Sequence, residues 1–186
     1  MKLYVIKDYK KAFPALKGKE LTDALIRQCL GIDDAVITRN ERGKPFVCCS
    51  EKDAGDNRVF ISVSHSEDTF ALIEAERNVG LDIQYPRSVK ADRIAARCFT
   101  EDEAAYAAND EWSSSFYKLW TRKEAYCKYT GLGLEQIMKR EDVLKRKDVS
   151  FRDLRLDDGC FCAICTGTEE GDASDEIQIS YREQNL

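Results

Sequence analysis

Residues 59–85 constrain the fold most. Three short stretches rich in β-branched and aromatic residues, 59–65, 69–76 and 79–85, follow one another with only the turn signals Ser66-Glu67-Asp68 and Arg77-Asn78 between them. That pattern predicts three consecutive antiparallel strands. Upstream, residues 1–10 alternate apolar and polar as a strand does, and Leu21, Ala24, Leu25 and Cys29 stand at helical spacing ahead of Gly31, where a helix over 22–30 would stop. Beyond Pro86 the period turns helical: one helix over 88–98, a second opening at Thr100, and a third over 113–130 closed by Gly131. Thr100 with Glu103 three residues later is a capping-box signature. Strands return over 160–166 and 176–182, joined by an acidic loop over 168–175. Helix followed by strands thus occurs twice, which predicts an α+β fold of two lobes rather than a doubly wound parallel sheet.

Composition narrows the class. The 186 residues are 34% charged and 43% hydrophobic with only 10 Gly and 3 Pro, which disfavours disorder, collagen-like repeats and long linkers. A formal net charge of -5 and a pI near 5.1 argue against blanket attraction to nucleic acid or to anionic membrane. No apolar run reaches the roughly 18 residues of a membrane helix, and residues 1–10 lack the apolar core of a secretion signal. A cytoplasmic protein with neither nucleic acid nor membrane as partner is expected. The eight cysteines are then read as reduced. Cys160, Cys162 and Cys165 are expected as small buried side chains of a strand, since no second Cys or His pair nearby completes a zinc site.

Four features could carry chemistry. If Val79, Leu81, Ile83 and Tyr85 face a core, alternation sends Asp82 and Gln84 together to the other face, where two oxygen donors could share a cation. An ordinary half-solvated strand face gives the same spacing. Trp120, Glu124 and Lys128 lie at i, i+4 and i+8 on one helical stripe, presenting an apolar anchor, a carboxylate and an ammonium in a row. A surface ion pair beside a core Trp fits that spacing as well. The only histidine, His65, sits between Ser64 and Ser66 and could offer donors to a phosphate, as could an ordinary structural histidine. Gly43-Lys44-Pro45 reads either as a binding element or as a turn before Phe46 and Val47.

The order of these elements carries more than any one of them. Gly43-Lys44-Pro45, Ser64-His65-Ser66, Val79-Gly80-Leu81-Asp82-Ile83 and Trp120-Thr121-Arg122-Lys123-Glu124-Ala125 with Lys128 together resemble the 4′-phosphopantetheinyl transferases of the two-lobed, Sfp type. The resemblance runs over roughly residues 17–135 and on to the CFCAIC strand. It implies two similar α/β lobes related by a pseudo-twofold axis, here 1–78 and 79–186, with coenzyme A in the cleft between them. It also implies Mg²⁺-dependent transfer of the phosphopantetheine arm of coenzyme A to a serine of an acyl- or peptidyl-carrier protein, releasing adenosine 3′,5′-bisphosphate. On that resemblance Asp82, Gln84 and Glu124 match the metal ligands, Glu124 the base, and Lys128 the lysine on the α-phosphate. Lys44 and Pro45 match the adenine side, and Ser64 and His65 the 3′-phosphate.

Two positions depart from the family pattern. Gln84 stands where many relatives carry Glu, which removes a charge from the metal site, and Ser62 stands where many carry Asn. Two other readings share the carboxylates: a weakened coenzyme A-binding module, favoured by Gln84, and a metal-dependent phosphohydrolase, which leaves the Gly-Lys-Pro and Ser-His elements without a role. Arg87, Lys90, Arg93 and Arg97 recur at helical spacing and are expected as a basic stripe for an acidic carrier. With both lobes in one chain, a monomer is expected.

Overall fold

The computed structural model describes residues 1–48, 58–87, 91–108, 113–168 and 176–183. The start of the helix expected from Ser88, including Lys90, and residues 169–175 of the acidic loop lie outside the described residues. The chain divides into two compact units, Met1–Asn78 with Ala173–Leu186, and Val79–Asp172. Each has its own sheet, so the fold is mixed α+β with two sheets.

The first unit contains β1 (Lys2–Lys7), α1 (Tyr9–Ala12), α2 (Gly18–Leu30), β2 (Val36–Arg39), β3 (Pro45–Cys48), β4 (Arg58–Ser66) and β5 (Thr69–Ala75), and is completed by a strand from the chain's far end, Gln178–Glu183. Leu21, Leu25, Ile26 and Cys29 of α2 pack on Ile6, Ile61, Phe70 and Leu72 of the sheet. The helix stops where expected: Gly31 takes a left-handed φ of 69° and its N–H donates to the Arg27 carbonyl at 2.8 Å. β1 shows no exposed face, since Leu3, Tyr4, Val5 and Ile6 are all buried. It is an inner strand, antiparallel to β5 on one edge and parallel to the Gln178–Glu183 strand on the other.

The second unit begins with β6 (Val79–Gln84), continues through α3 (Ala91–Cys98), α4 (Glu101–Ala108), α5 (Ser113–Thr130) and α6 (Leu134–Ile137), and ends with β7 (Val149–Arg155) and β8 (Phe161–Gly167). Its antiparallel sheet has the order β6-β8-β7. The remaining strand, Gln178–Glu183, is β9.

Two expectations need correction. The strand over 79–85 does not extend the β4–β5 hairpin: both edges of β5 are already taken, by β4 and by β1, so β6 pairs with β8 in the other sheet. The chain-terminal strand, expected with the second lobe, instead pairs Lys2↔Gln178 through Lys7↔Glu183 and belongs to the first unit. β7 was not anticipated from the sequence at all.

α5 runs over the expected residues, and Gly131 ends it with φ 71° and an N–H donated to the Cys127 carbonyl at 2.9 Å. The helix lies directly on the sheet because β6 has no side chain at the crossing. A Cβ on Gly80 would stand 2.0 Å from the Ala125 carbonyl oxygen and 2.6 Å from the Tyr129 nitrogen. The other flank of α5 is fixed by charge. Lys123 and Glu103 have fully buried side chains and form an ion pair at 2.9 Å. Lys123 Nζ also donates to the Glu141 carbonyl at 2.7 Å. Glu103 accepts the Thr100 N–H and the Val143 N–H, both at 2.9 Å, while Thr100 Oγ1 accepts the Glu103 N–H at 3.3 Å. The capping box expected at Thr100 is therefore formed, and its carboxylate also holds a buried lysine. The cysteines of β8, Cys162 and Cys165, are buried with Cys160 just before them, and burial pushes the Cys29 and Cys127 thiols up to about 12.

Gly80→Ala is expected to cost about 3 kcal/mol or more, because backbone rather than a yielding side chain blocks the added methyl. Gly133→Ala, where a Cβ meets nothing within 4 Å, should cost about 1 kcal/mol or less, from the poorer cap that Ala gives α6. Urea unfolding of both variants measures the contrast. Lys123→Met should cost about 3–5 kcal/mol by leaving the Glu103 carboxylate buried without its counter-ion. Adding Glu103→Gln should recover part of that loss; equal midpoints for the single and double variants would show that uncompensated charge is not its source.

Candidate active site

The position of Gly80 decides where the acid two residues later points. On β6, Val79, Leu81 and Ile83 are buried on one face. Gly80, Asp82 and Gln84 share the other, which α5 covers at Gly80. Asp82 is thus not on a half-solvated face; it is only 6% exposed. Glu124 and Lys128 lie one turn apart on the same helix. Lys128 Nζ donates to Asp82 Oδ1 at 2.9 Å. The Glu124 carboxyl is held above the usual carboxylate range, first by burial and then by the negative charge of Asp82, with Lys128 pulling the other way. Strand and helix, far apart in sequence, therefore bring Asp82, Glu124 and Lys128 into one electrostatic group.

The chemistry open to this group follows from its members. A carboxylate whose proton affinity is raised is a better base than a solvated one. Two carboxylates close enough for one to hinder the other's ionisation are the donors a hard divalent cation takes, and Gln84 adds an amide on the same strand face. Gln84 is half-buried, with Nε2 donating to the Tyr85 carbonyl at 3.2 Å. Other cations of α5 are engaged elsewhere. Arg122 grips Asp153 of β7 at 2.8 and 2.5 Å, and Lys118 meets the same carboxylate at 3.3 Å. Trp120 is partly buried against the core and stacked with Phe116 at 6.3 Å between ring centroids.

In the first unit, Lys44 and Pro45 form the exit of the β2–β3 turn. Asn40 Oδ1 accepts the Arg42 and Lys44 N–H groups at 3.1 and 2.9 Å, and Gly43 supplies a φ of 82°. The turn reading of Gly43-Lys44-Pro45 is therefore satisfied locally. The Lys44 ammonium is also directed, donating to Asn78 Oδ1 at 2.7 Å. Ser64 and His65 lie at the end of β4, where Ser64 is buried and His65 exposed. As neighbours on a strand they point to opposite faces, so their side chains do not converge on one point. The His65 ring lies 5.9 Å from that of Tyr9, and Lys10 next to it donates to the Glu67 carbonyl and to Asp68 Oδ1 in the same hairpin.

The basic stripe is shorter than its spacing suggested. Arg93 and Arg97 are exposed one turn apart on α3. Arg87 precedes the helix in the stretch after Pro86, where its N–H donates to the Tyr117 hydroxyl at 2.9 Å and its carbonyl accepts from that hydroxyl. Sequence reasoning missed Lys123 as a buried anchor of the helix that carries Glu124. The signal was present: Phe116, Leu119, Lys123 and Tyr126 recur at three, four and three residues, which places the lysine in an apolar stripe.

The profile of the 4′-phosphopantetheinyl transferase superfamily matches residues 78–177, a span that contains Asp82, Glu124 and Lys128. The chain is 27% identical to the 4′-phosphopantetheinyl transferase gsp of Aneurinibacillus migulanus, over 84% of this chain and 70% of that protein. It is 28% identical to the 4′-phosphopantetheinyl transferase of Bacillus subtilis, over 86% of this chain and 71% of the other. With the L-aminoadipate-semialdehyde dehydrogenase-phosphopantetheinyl transferase of Mus musculus the identity is 32%, over 95% of this chain and 67% of the relative. Matched by the profile across its second unit and by these proteins across most of its length, the chain belongs to the 4′-phosphopantetheinyl transferase superfamily and is a transferase of that kind.

Proposed function

We propose that the chain transfers the 4′-phosphopantetheine group of coenzyme A to a serine of an acyl- or peptidyl-carrier protein with Mg²⁺ as cofactor, and that Asp82, Glu124 and Lys128 carry the reaction. The observation supporting this assignment is the convergence of those three side chains, with Lys128 hydrogen-bonded to Asp82 and both charges acting on Glu124. By their match to the family, Lys44 and Pro45 serve the adenine side of coenzyme A. His65, exposed at the hairpin, serves the 3′-phosphate together with its neighbour Ser64.

Each group has a defined task. Glu124 takes the proton of the carrier serine as its oxygen attacks the phosphorus attached to the pantetheine arm. The bond from that phosphorus to the bridging oxygen breaks, and adenosine 3′,5′-bisphosphate leaves with the electron pair. Lys128 places its ammonium on the charge that accumulates there. Asp82 and Glu124, with the Gln84 amide, would hold Mg²⁺, which supplies charge neutralisation and orientation of the diphosphate. Arg93 and Arg97 present a basic surface to an acidic carrier.

Intact-mass measurement of an apo-carrier incubated with coenzyme A and Mg²⁺ tests the reading, with a gain of one phosphopantetheine as the expected result. Binding of coenzyme A without that gain would indicate the binding module, and cleavage of free diphosphate the hydrolase. Glu124→Gln should lower the transfer rate by about 100-fold or more. The same variant should leave the metal-free fold at least as stable near neutral pH. Because folding raises the affinity of Glu124 for its proton, its contribution to stability is complete below the ordinary carboxylate range and falls as pH rises through the raised value. Without metal, wild type should therefore lose stability relative to Glu124→Gln across that window; parallel pH profiles would contradict the charge crowding. Gln84→Glu restores an acid beside Asp82 and should lower the Mg²⁺ concentration for half-maximal transfer several-fold. Identical half-saturation in wild type and variant would remove Gln84 from the metal site.

A further inference from the structure

We propose that Lys128 is the resting counter-ion of Asp82, and that its exchange from Asp82 to the substrate diphosphate makes divalent-metal and coenzyme A binding mutually dependent. The inference rests on the reading above, in which Asp82 and Glu124 hold the dication and Lys128 meets the diphosphate.

The ion pair occupies the carboxylate that the dication needs. Lys128 Nζ stands 2.9 Å from Asp82 Oδ1, with side-chain exposures of 29% and 9%. An ammonium and a dication on the same carboxylate repel each other, and the partly buried setting strengthens that repulsion. Metal arriving alone must therefore displace a cation already in place. Coenzyme A arriving alone must draw the ammonium away and leave Asp82 and Glu124 facing each other without it. When both arrive together, the dication takes the carboxylates and the ammonium takes the phosphate. The paired arrival also leaves the net charge of the site unchanged, since a dication and a diphosphate dianion cancel, whereas either alone shifts it by two.

Lys128 is suited to the exchange and its neighbours are not. A lysine carries its charge on a flexible four-carbon stem, and the partial exposure of this one leaves room for a change of rotamer. Arg122 is held by two hydrogen bonds to Asp153, and Lys123 is sealed with Glu103. The three charges at the site thus form a small switch with two balanced arrangements: lysine on aspartate, or lysine on phosphate with metal on aspartate. By linkage, whatever factor coenzyme A adds to metal affinity, metal adds to coenzyme A affinity.

Manganese(II) titrations followed by electron paramagnetic resonance, with and without saturating coenzyme A, test this on the whole chain. In wild type, coenzyme A should tighten Mn²⁺ binding at least about ten-fold, equivalent to about 1.4 kcal/mol. Lys128→Met and Lys128→Gln should bind Mn²⁺ alone about ten-fold more tightly than wild type and show a smaller gain from coenzyme A. Lys128→Arg, which keeps the charge, should bind the metal alone as weakly as wild type. Thermal melts establish that each variant is folded, and the two neutral variants should gain more melting temperature from Mn²⁺ than wild type does. If the neutral variants bind Mn²⁺ alone no more tightly than wild type while Asp82→Asn abolishes wild-type binding, the metal assignment stands and the exchange is overturned. If Asp82→Asn leaves Mn²⁺ binding unchanged even with coenzyme A, the metal assignment itself fails and takes the exchange with it.

Discussion

Strand and helix in the second unit come into close contact at Gly80, where a hydrogen replaces any side chain and the backbone of β6 rests against that of α5. The geometry of the site follows from that contact. With Gly80 toward the helix, alternation sends Asp82 to the same side, into the reach of Glu124 and Lys128. A larger residue at position 80 would lift the strand away, and Asp82 would move with it. The Val-Gly-Leu-Asp segment therefore works as a unit in which the glycine makes the approach and the aspartate uses it. This is a packing requirement with a chemical result, and the two cannot be varied separately.

One contact would still leave the helix able to turn about its axis. The buried Lys123–Glu103 pair supplies the second constraint, since Lys123 is the residue before Glu124 and its ammonium is tied to α4 and to the Glu141 carbonyl. Burying two charges costs a great deal, and here the cost is offset by the number of hydrogen bonds: Glu103 also accepts two backbone N–H groups, one of which caps its own helix. Arg122 gripping Asp153 of β7 adds a third tie on the outer surface. The Arg122-Lys123-Glu124 run thus divides its labour. The first two residues hold the helix, and the third is left with a carboxylate that burial and a neighbouring charge make basic.

Local pattern revealed what local forces decide. The bounds of α5, its glycine stop, the Thr100 capping box and the β4–β5 hairpin were all legible, because each depends on residues within a few positions of one another. Sheet membership was not. That β6 leaves the hairpin and that β9 crosses to pair with β1 depend on which strand edges are still open after the rest of the chain has folded, and no local window contains that information. The same limit hid the role of Lys123, whose partner Glu103 was visible only as a capping residue. Asp82, Glu124 and Lys128 could be singled out because strand alternation and helical spacing each fix the direction of a side chain. Their meeting required the fold. Ser64 and His65, matched together to the family's 3′-phosphate residues, are sent to opposite faces of the strand by the same alternation that joined Asp82 to Gln84.

The charge of the whole chain bears on how such a site can work. With a net charge of -5, the protein offers no general attraction to a polyanionic substrate, so the cations that meet it must be few and well placed. An ammonium left unpaired in a partly buried site would be costly in the resting state, and so would two carboxylates facing each other. Pairing Lys128 with Asp82 lowers both costs at once while keeping the ammonium within one side chain's reach of Glu124. The arrangement that makes the buried carboxylates tolerable is therefore the same one that holds the positive charge ready for phosphate, and an uncharged residue at position 128 could do neither.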